Sequence, residues 1–301
     1  MTFFIELIKG IFVGVANVIP GVSGGTMAVS FGIYDKILSS ISNLLKDFKK
    51  SFKTLLPIAI GMVIGIIGFT FIIPVLLKNQ PFITAIAFTG LILGGLPMIV
   101  KETKLGWQKD EKKSLIINLV IFATFAVFTI ALAFAGGSKD SGVILTPNIE
   151  TIIIMFFIGI IASATMIIPG VSGSLILMIL GYYFGILTAI KDFLSALKDF
   201  DIKSMINQAL ILAPFGIGCL LGVFFISKLI KWLFAHFASA TYSGILGLII
   251  TSPLSIFFKV HEEYNMSDTS AIQIIIGIVI FVICTAVTIF FGHLENKDAK
   301  N

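Results

Sequence analysis

The sequence predicts an all-α polytopic membrane protein, an inverted structural repeat in which each half is one re-entrant helical hairpin plus three transmembrane helices. Three observations carry that expectation. The composition is 57% hydrophobic and only 12% charged, with a mean hydropathy of +1.07. A soluble globular chain carries about twice that charge, so water is not the main solvent of this one. Apolar stretches fill the 301 residues without a soluble-length gap, which predicts a single membrane domain over residues 1–301. The third observation is a proline-glycine string that occurs twice.

The segment from Ile19 reads IPGVSGGTMAVSFGIYDKILSSI, and the segment from Ile168 reads IPGVSGSLILMILGYYFGILTAI. Aligned without gaps, 11 of these 23 positions are identical at an offset of 149 residues. The likeness continues downstream with a drifting offset. LPIAIGMVIG from Leu56 matches APFGIGCLLG from Ala213, and FTGLILGGLP from Phe88 matches YSGILGLIITSP from Tyr242. LLKDF from Leu44 recurs as ALKDF from Ala196. Matches in one order along the chain are the mark of a duplication.

Each half parses alike. Repeat 1 covers about 1–135, and its hairpin, 3–41, has an apolar arm from Phe3 to Ile19, a break, and a second arm from Ser23 to about Ile41. Spans follow at 54–77, 81–100 and 114–135. Repeat 2 covers about 150–292, with a hairpin at 151–190 and spans at 207–230, 234–258 and 271–292. Segments of about 20 residues, rising 1.5 Å each, cross a hydrocarbon core of about 30 Å. The arms are shorter and meet at PGVSG, where proline and glycine bare the backbone. Such a break persists in lipid only when it is buried in protein or lines a wet cavity, which favours a re-entrant hairpin. Two ordinary spans joined by a surface loop are the competing reading. The start, MTFFIELIKG, predicts no cleavable signal peptide, because Glu6 stands where lysines belong.

All of the basic charge is lysine, since the sequence has no arginine, and the net charge is +5. The lysines punctuate apolar runs, so they read as topology determinants rather than a nucleic-acid surface. One side collects 13 lysines, including five in KETKLGWQKDEKK, against 6 on the other. That bias places the richer side, the Lys101–Lys113 loop with Trp107 and both termini in the cytoplasm. Three spans between the hairpins then invert the second half relative to the first. Inverted repeats with broken helices are the build of secondary transporters. Cys219 and Cys284 lie in apolar runs and read as small hydrophobes, and no metal or cofactor site is expected.

The doubled string also carries chemistry. Pro20 and Pro169 stop the first arms, for want of an N–H and by ring clash. Gly21 and Gly170 allow a sharp turn and close ligand approach. Ser23 and Ser172 fall at or next to the N-cap of the second arms, which open with Gly24, Gly25 and Thr26 in one copy and Gly173 and Ser174 in the other. A helix start offers unpaired N–H groups and partial positive charge, so hydroxyl, N–H and absent bulk predict an anion site, phosphate fitting best. Glycine packing between helices is the bland alternative, and it accounts for Gly61, Gly65, Gly68, Gly218 and Gly222. GVSGG also satisfies the G-x-S-x-G nucleophile spacing. A serine hydrolase would need a base, however, and only His236 of the three histidines lies near a span. A phosphatase using Glu6 or Asp35 is the other enzymatic alternative. Glu6, Lys9, Asp35 and Lys36 are the ionisable residues of the arms, read either as a gate or ion-coupling site or as interface residues. Asn17 and Thr165 precede the two tips.

With IPGVSGG near the start, IPGVSGS in mid-chain, and FTG…LP echoed by YSG…SP, the sequence resembles the bacterial membrane family known as domain of unknown function 368. That family includes the PopT-type polyprenyl-phosphate transporters. The likeness spans essentially the whole chain. It implies a multi-pass protein of the bacterial cytoplasmic membrane that returns undecaprenyl phosphate to the cytoplasmic leaflet for cell-wall synthesis. It implies a substrate site at Pro20, Gly21, Ser23 and Gly24 and at Pro169, Gly170, Ser172 and Gly173. Ser174 replaces Gly25 of the first copy, adding a hydroxyl or merely packing. The expected partners are the polyprenyl phosphate, the bilayer and a coupling H+ or Na+. Residue chemistry alone stops at an anion site, which leaves another small anion open as the substrate.

Overall fold

A backbone in hydrocarbon must satisfy its own N–H and C=O groups, and a chain this apolar does so by helix throughout. The computed structural model describes residues 2–19, 22–109, 112–135, 143–267 and 269–298. Among them are fourteen helices and no strand. In order these are α1 Thr2–Ala16, α2 Gly24–Ser30, α3 Tyr34–Ser42, α4 Phe48–Phe69, α5 Ile72–Asn79, α6 Pro81–Leu93 and α7 Leu96–Lys109. Then come α8 Lys112–Phe134, α9 Ile149–Ile167, α10 Gly173–Ile179, α11 Tyr183–Lys198, α12 Ile202–His236, α13 Ala238–Tyr264 and α14 Ala271–Asp298. Seven stretches among the described residues are long and apolar enough to cross a membrane, α6 and α7 counting together as one.

The chain divides into two units. One comprises residues 1–134, 168–171 and 228–301, and the other 135–167 and 172–227. In the first unit the α6–α7 span and α13 are the most enclosed, with 56% and 61% of their apolar windows buried. α8 and α14 surround them and are far more open, at 17% and 11%. Their exposed faces carry Ile116, Val127, Ile275 and Phe290, a surface that suits lipid rather than water. α8 packs along α13 and α14 packs along α6. Glycines bring the backbones together: a Cβ on Gly247 would stand 2.4 Å from the Phe122 carbonyl, and one on Gly90 2.7 Å from that of Phe281. The last helix of each half thus lies on a central helix of the other.

A second glycine contact is made once in each unit. α1 lies on α4 so closely that a Cβ on Gly14 would meet the Met62 carbonyl at 2.2 Å, and one on Gly61 the Leu7 carbonyl at 2.1 Å. In the other unit Gly218 stands in the same relation to Phe156 at 2.0 Å, and Gly159 to Phe215 at 2.2 Å. Gly61, Gly65, Gly218 and Gly222 are therefore packing glycines. Gly68 is not, for nothing lies within 4 Å of where its Cβ would be. Met155, Ile158, Ile186, Ala189 and Ile211 close the core of the second unit between α9, α11 and α12.

Two expectations change. Each second hairpin arm, read as one helix, is two. α2 and α3 are separated at Gly32, φ +73°, and α10 and α11 at Gly181, φ +82°. α10 and α11 meet at 107°. Both breaks are Schellman closures. Gly32 N donates to Val29 O and Ile33 N to Ala28 O; Gly181 N and Tyr182 N do the same to Met178 O and Leu177 O. The two glycines are 149 residues apart, the repeat offset. The second change concerns the lysine-rich stretch with Trp107, expected as a soluble loop. It is helical to Lys109, and Trp107 is half-buried, its Nε1 donating to Ser243 Oγ at 2.8 Å.

Candidate functional site

At the first tip α1 ends at Ala16 and unwinds through a chain of short-range bonds, Asn17 N to Gly14 O and Ile19 N to Ala16 O among them. Pro20 and Gly21, both expected at the site, lie outside the described residues. Ser23 is the N-cap of α2, with extended backbone at φ −105° and ψ 131°. Its hydroxyl does not cap its own helix but faces the Ile168 carbonyl at 3.5 Å. Gly24, Gly25 and Thr26 are all buried. Asn17 reaches back as well: its Nδ2 donates to Val13 O, and a Cβ on Gly24 would strike the amide at 2.6 Å. A side chain at the start of α2 would displace the Asn17 amide.

The second tip repeats this design. Ser172 is the N-cap of α10 at φ −91° and ψ 122°, again with no side-chain cap to the backbone of its own helix. Its hydroxyl lies 3.0 Å from that of Ser174, so the serine that breaks repeat symmetry is joined to the N-cap hydroxyl. Gly173 is wedged against the first arm, where a Cβ would meet Met166 at 2.8 Å and Thr165 Oγ1 at 3.3 Å. Thr165 itself donates to Ala162 O.

The stretch 168–171 of the second string belongs to the first unit, where it lies against α2. Gly170 N donates to Thr26 Oγ1 at 2.6 Å. Gly170 has φ +79°, and a Cβ there would meet Leu248 Cβ at 2.8 Å. The glycine is required by both its backbone and its surroundings, and its N–H is already engaged. Pro169 and Val171 are buried beside it. α2 and α10 are only seven residues each, so their dipoles are small. What each offers is the first-turn N–H groups, which no helix can satisfy internally.

Away from the tips, the ionisable residues of the first hairpin separate into two sets. Lys36 donates to Glu6 Oε1 and ties α3 to α1, while Lys9 is fully buried and Glu6 nearly so. Glu6 and Lys9 are thus enclosed by protein rather than open to the surface. Asp35, next to Lys36, faces a different cavity shared with Glu102, Tyr34 and Tyr242.

The family model for VCA0040-like, undecaprenyl phosphate translocase-like proteins matches residues 13–274. The chain belongs to that family. A polyprenyl-phosphate transporter of Staphylococcus aureus is 29% identical over 278 residues, 92% of this chain and 94% of the relative. A polyprenyl-phosphate transporter of Vibrio cholerae is 29% identical over 264 residues, 83% of this chain and 76% of the relative. No solved structure matches the chain.

Sequence reasoning within this translocase-like chain missed the contact between Thr26 and Gly170, the place of Glu102 beside Asp35, and the Trp107–Ser243 bond. The first had a signal, because Thr26 has no polar counterpart in the second copy, where Leu175 stands. The other two pair residues more than 60 positions apart in the sequence, and no periodicity reports them.

Proposed function

We propose that this chain is a membrane translocase for a lipid-linked phosphate, undecaprenyl phosphate fitting best, returned to the cytoplasmic leaflet. The observation that carries the reading is that Ser23 and Ser172 both occupy N-caps without capping their own helices. Such serines leave first-turn N–H groups available to an anion, and each hydroxyl adds a donor when it exchanges its present partner, Ile168 O or Ser174 Oγ, for a phosphate oxygen, so a single phosphate can be held without arginine. The relatives' names supply the polyprenyl chain. Its apolar tail stays in lipid, and only the head needs a polar path.

Glycine contacts made once in each unit, and the exchange of last helices between halves, support a duplicated design with two related halves. Together with the lysine bias, we read this as support for an inverted repeat with both termini cytoplasmic. Against the hydrolase alternative, the hydroxyl partners of Ser23 and Ser172 among the described residues are the Ile168 carbonyl and the Ser174 hydroxyl, with no histidine. Purified protein in proteoliposomes should move labelled undecaprenyl phosphate between leaflets faster than empty vesicles do. Equal rates, or release of inorganic phosphate from a polyprenyl pyrophosphate, would overturn the proposal.

A further inference from the structure

In the first unit a cavity of about 40 Å³ lies between α3, α7 and α13. Its polar walls are Tyr34 and Asp35 of α3, Glu102 of α7 and Tyr242 of α13, and the rest of its lining is glycine and apolar side chains. A space of that size holds about two or three waters or one small cation. Two carboxylates share it with no lysine among its walls. Neither has an ion-pair partner among the described residues, since Lys36 turns away to Glu6 and Lys259 to Glu262. Asp35 stands at the open side and Glu102 is half-buried.

Tyr34 points to an occupant. It is only 6% exposed, and its hydroxyl is buried with no hydrogen-bond partner among the described residues. A buried hydroxyl left unpaired is costly, and this one belongs to a residue that lines the cavity of the two carboxylates. We propose that the cavity is a site for one small monovalent cation, a proton or a sodium ion, held between the Asp35 and Glu102 carboxylates with the Tyr34 hydroxyl as a third oxygen. The proposal rests on the transport reading for the ion's role, as the coupling ion, but not for its binding.

A route to the site is present. Glu102 and Tyr242 are also walls of a wider cavity of about 460 Å³, which Asn118, Ser239 and His236 line on its far side. The titratable and charged groups around the pair are therefore Tyr34 from α3, Tyr242 from α13, His236 at the end of α12, and exposed Lys101 and Lys104 flanking Glu102 on α7. α2 contributes only Val29.

The test uses purified full-length protein without lipid substrate, so it is independent of transport. Its thermal midpoint is followed against sodium chloride with choline chloride holding ionic strength, and separately against pH without sodium. A sodium site gives a sodium-dependent rise that potassium does not match; a proton site gives a rise on acidification with no sodium response. Asp35→Asn and Glu102→Gln should abolish whichever response exists. Tyr34→Phe, which folds without a buried unpaired hydroxyl, should raise the sodium or proton concentration at half-response by about tenfold to a hundredfold. Glu262→Gln is the control and should respond like the parent. No response in the parent, or equal responses in all variants, would overturn the site. A normal cation response with no lipid movement in proteoliposomes would sink the transport reading and leave the site standing.

Discussion

Thr26 is fully buried and accepts the N–H of Gly170 through its hydroxyl. Thr26→Val keeps the shape and removes the acceptor. An amide left unpaired in a buried place costs about 1–3 kcal/mol, so denaturant unfolding in detergent should show a loss of that size, and Thr26→Ser should restore most of it. A full-strength valine variant would mean that water satisfies Gly170. The serines behave differently, because neither caps its own helix. Ser23→Ala and Ser172→Ala should leave the melting temperature unchanged while each weakens polyprenyl-phosphate binding about tenfold to a hundredfold, the loss of one hydrogen bond to a charged group. Wild-type affinity in both single variants would move the phosphate site elsewhere.

The helices are held by backbone contact, and glycine variants report it. A side chain at Gly61 meets the Leu7 carbonyl, whereas one at Gly68 meets nothing. Gly61→Val should therefore prevent stable folding, an overpacking cost of about 1–3 kcal/mol or more, while Gly68→Val should express and melt normally. Fluorescence-detected size exclusion separates the two, and equal behaviour would contradict the α1–α4 packing. The breaks at Gly32 and Gly181 depend on conformation instead of space. Both have positive φ, which costs an L-residue roughly 1–2 kcal/mol. Gly32→Ala and Gly181→Ala should each destabilise by about that much, read as a lowered thermal midpoint.

For the whole molecule, the lysine bias predicts which side of the membrane is which. A cysteine in place of Lys104 should react with an impermeant maleimide only after the cells are opened, because α7 ends on the lysine-rich side. One placed at Lys203 should react in intact cells. Labelling of Lys104→Cys from outside would reverse the topology and, with it, the inversion of the halves.

Composition alone determined that this chain is helical and membrane-bound, since lipid leaves an apolar backbone few alternatives. The doubled IPGVSG string was enough to place it in its family. Repetition is what made the string legible: a proline-glycine-serine run at a fixed offset is visible without any coordinates. Tertiary structure decided the rest. The bend at Gly181 looks in sequence like any glycine in an apolar run, and so does the packing role of Gly61 against the open setting of Gly68. The assembly of Asp35 with Glu102, and of Thr26 with Gly170, joins residues far apart in the chain. Such pairings depend on which helix faces meet, and an almost uniformly apolar sequence does not record them. A soluble helix marks its buried face by contrast with its wet one; here lipid and core want the same side chains, and only the close approach of backbones tells them apart.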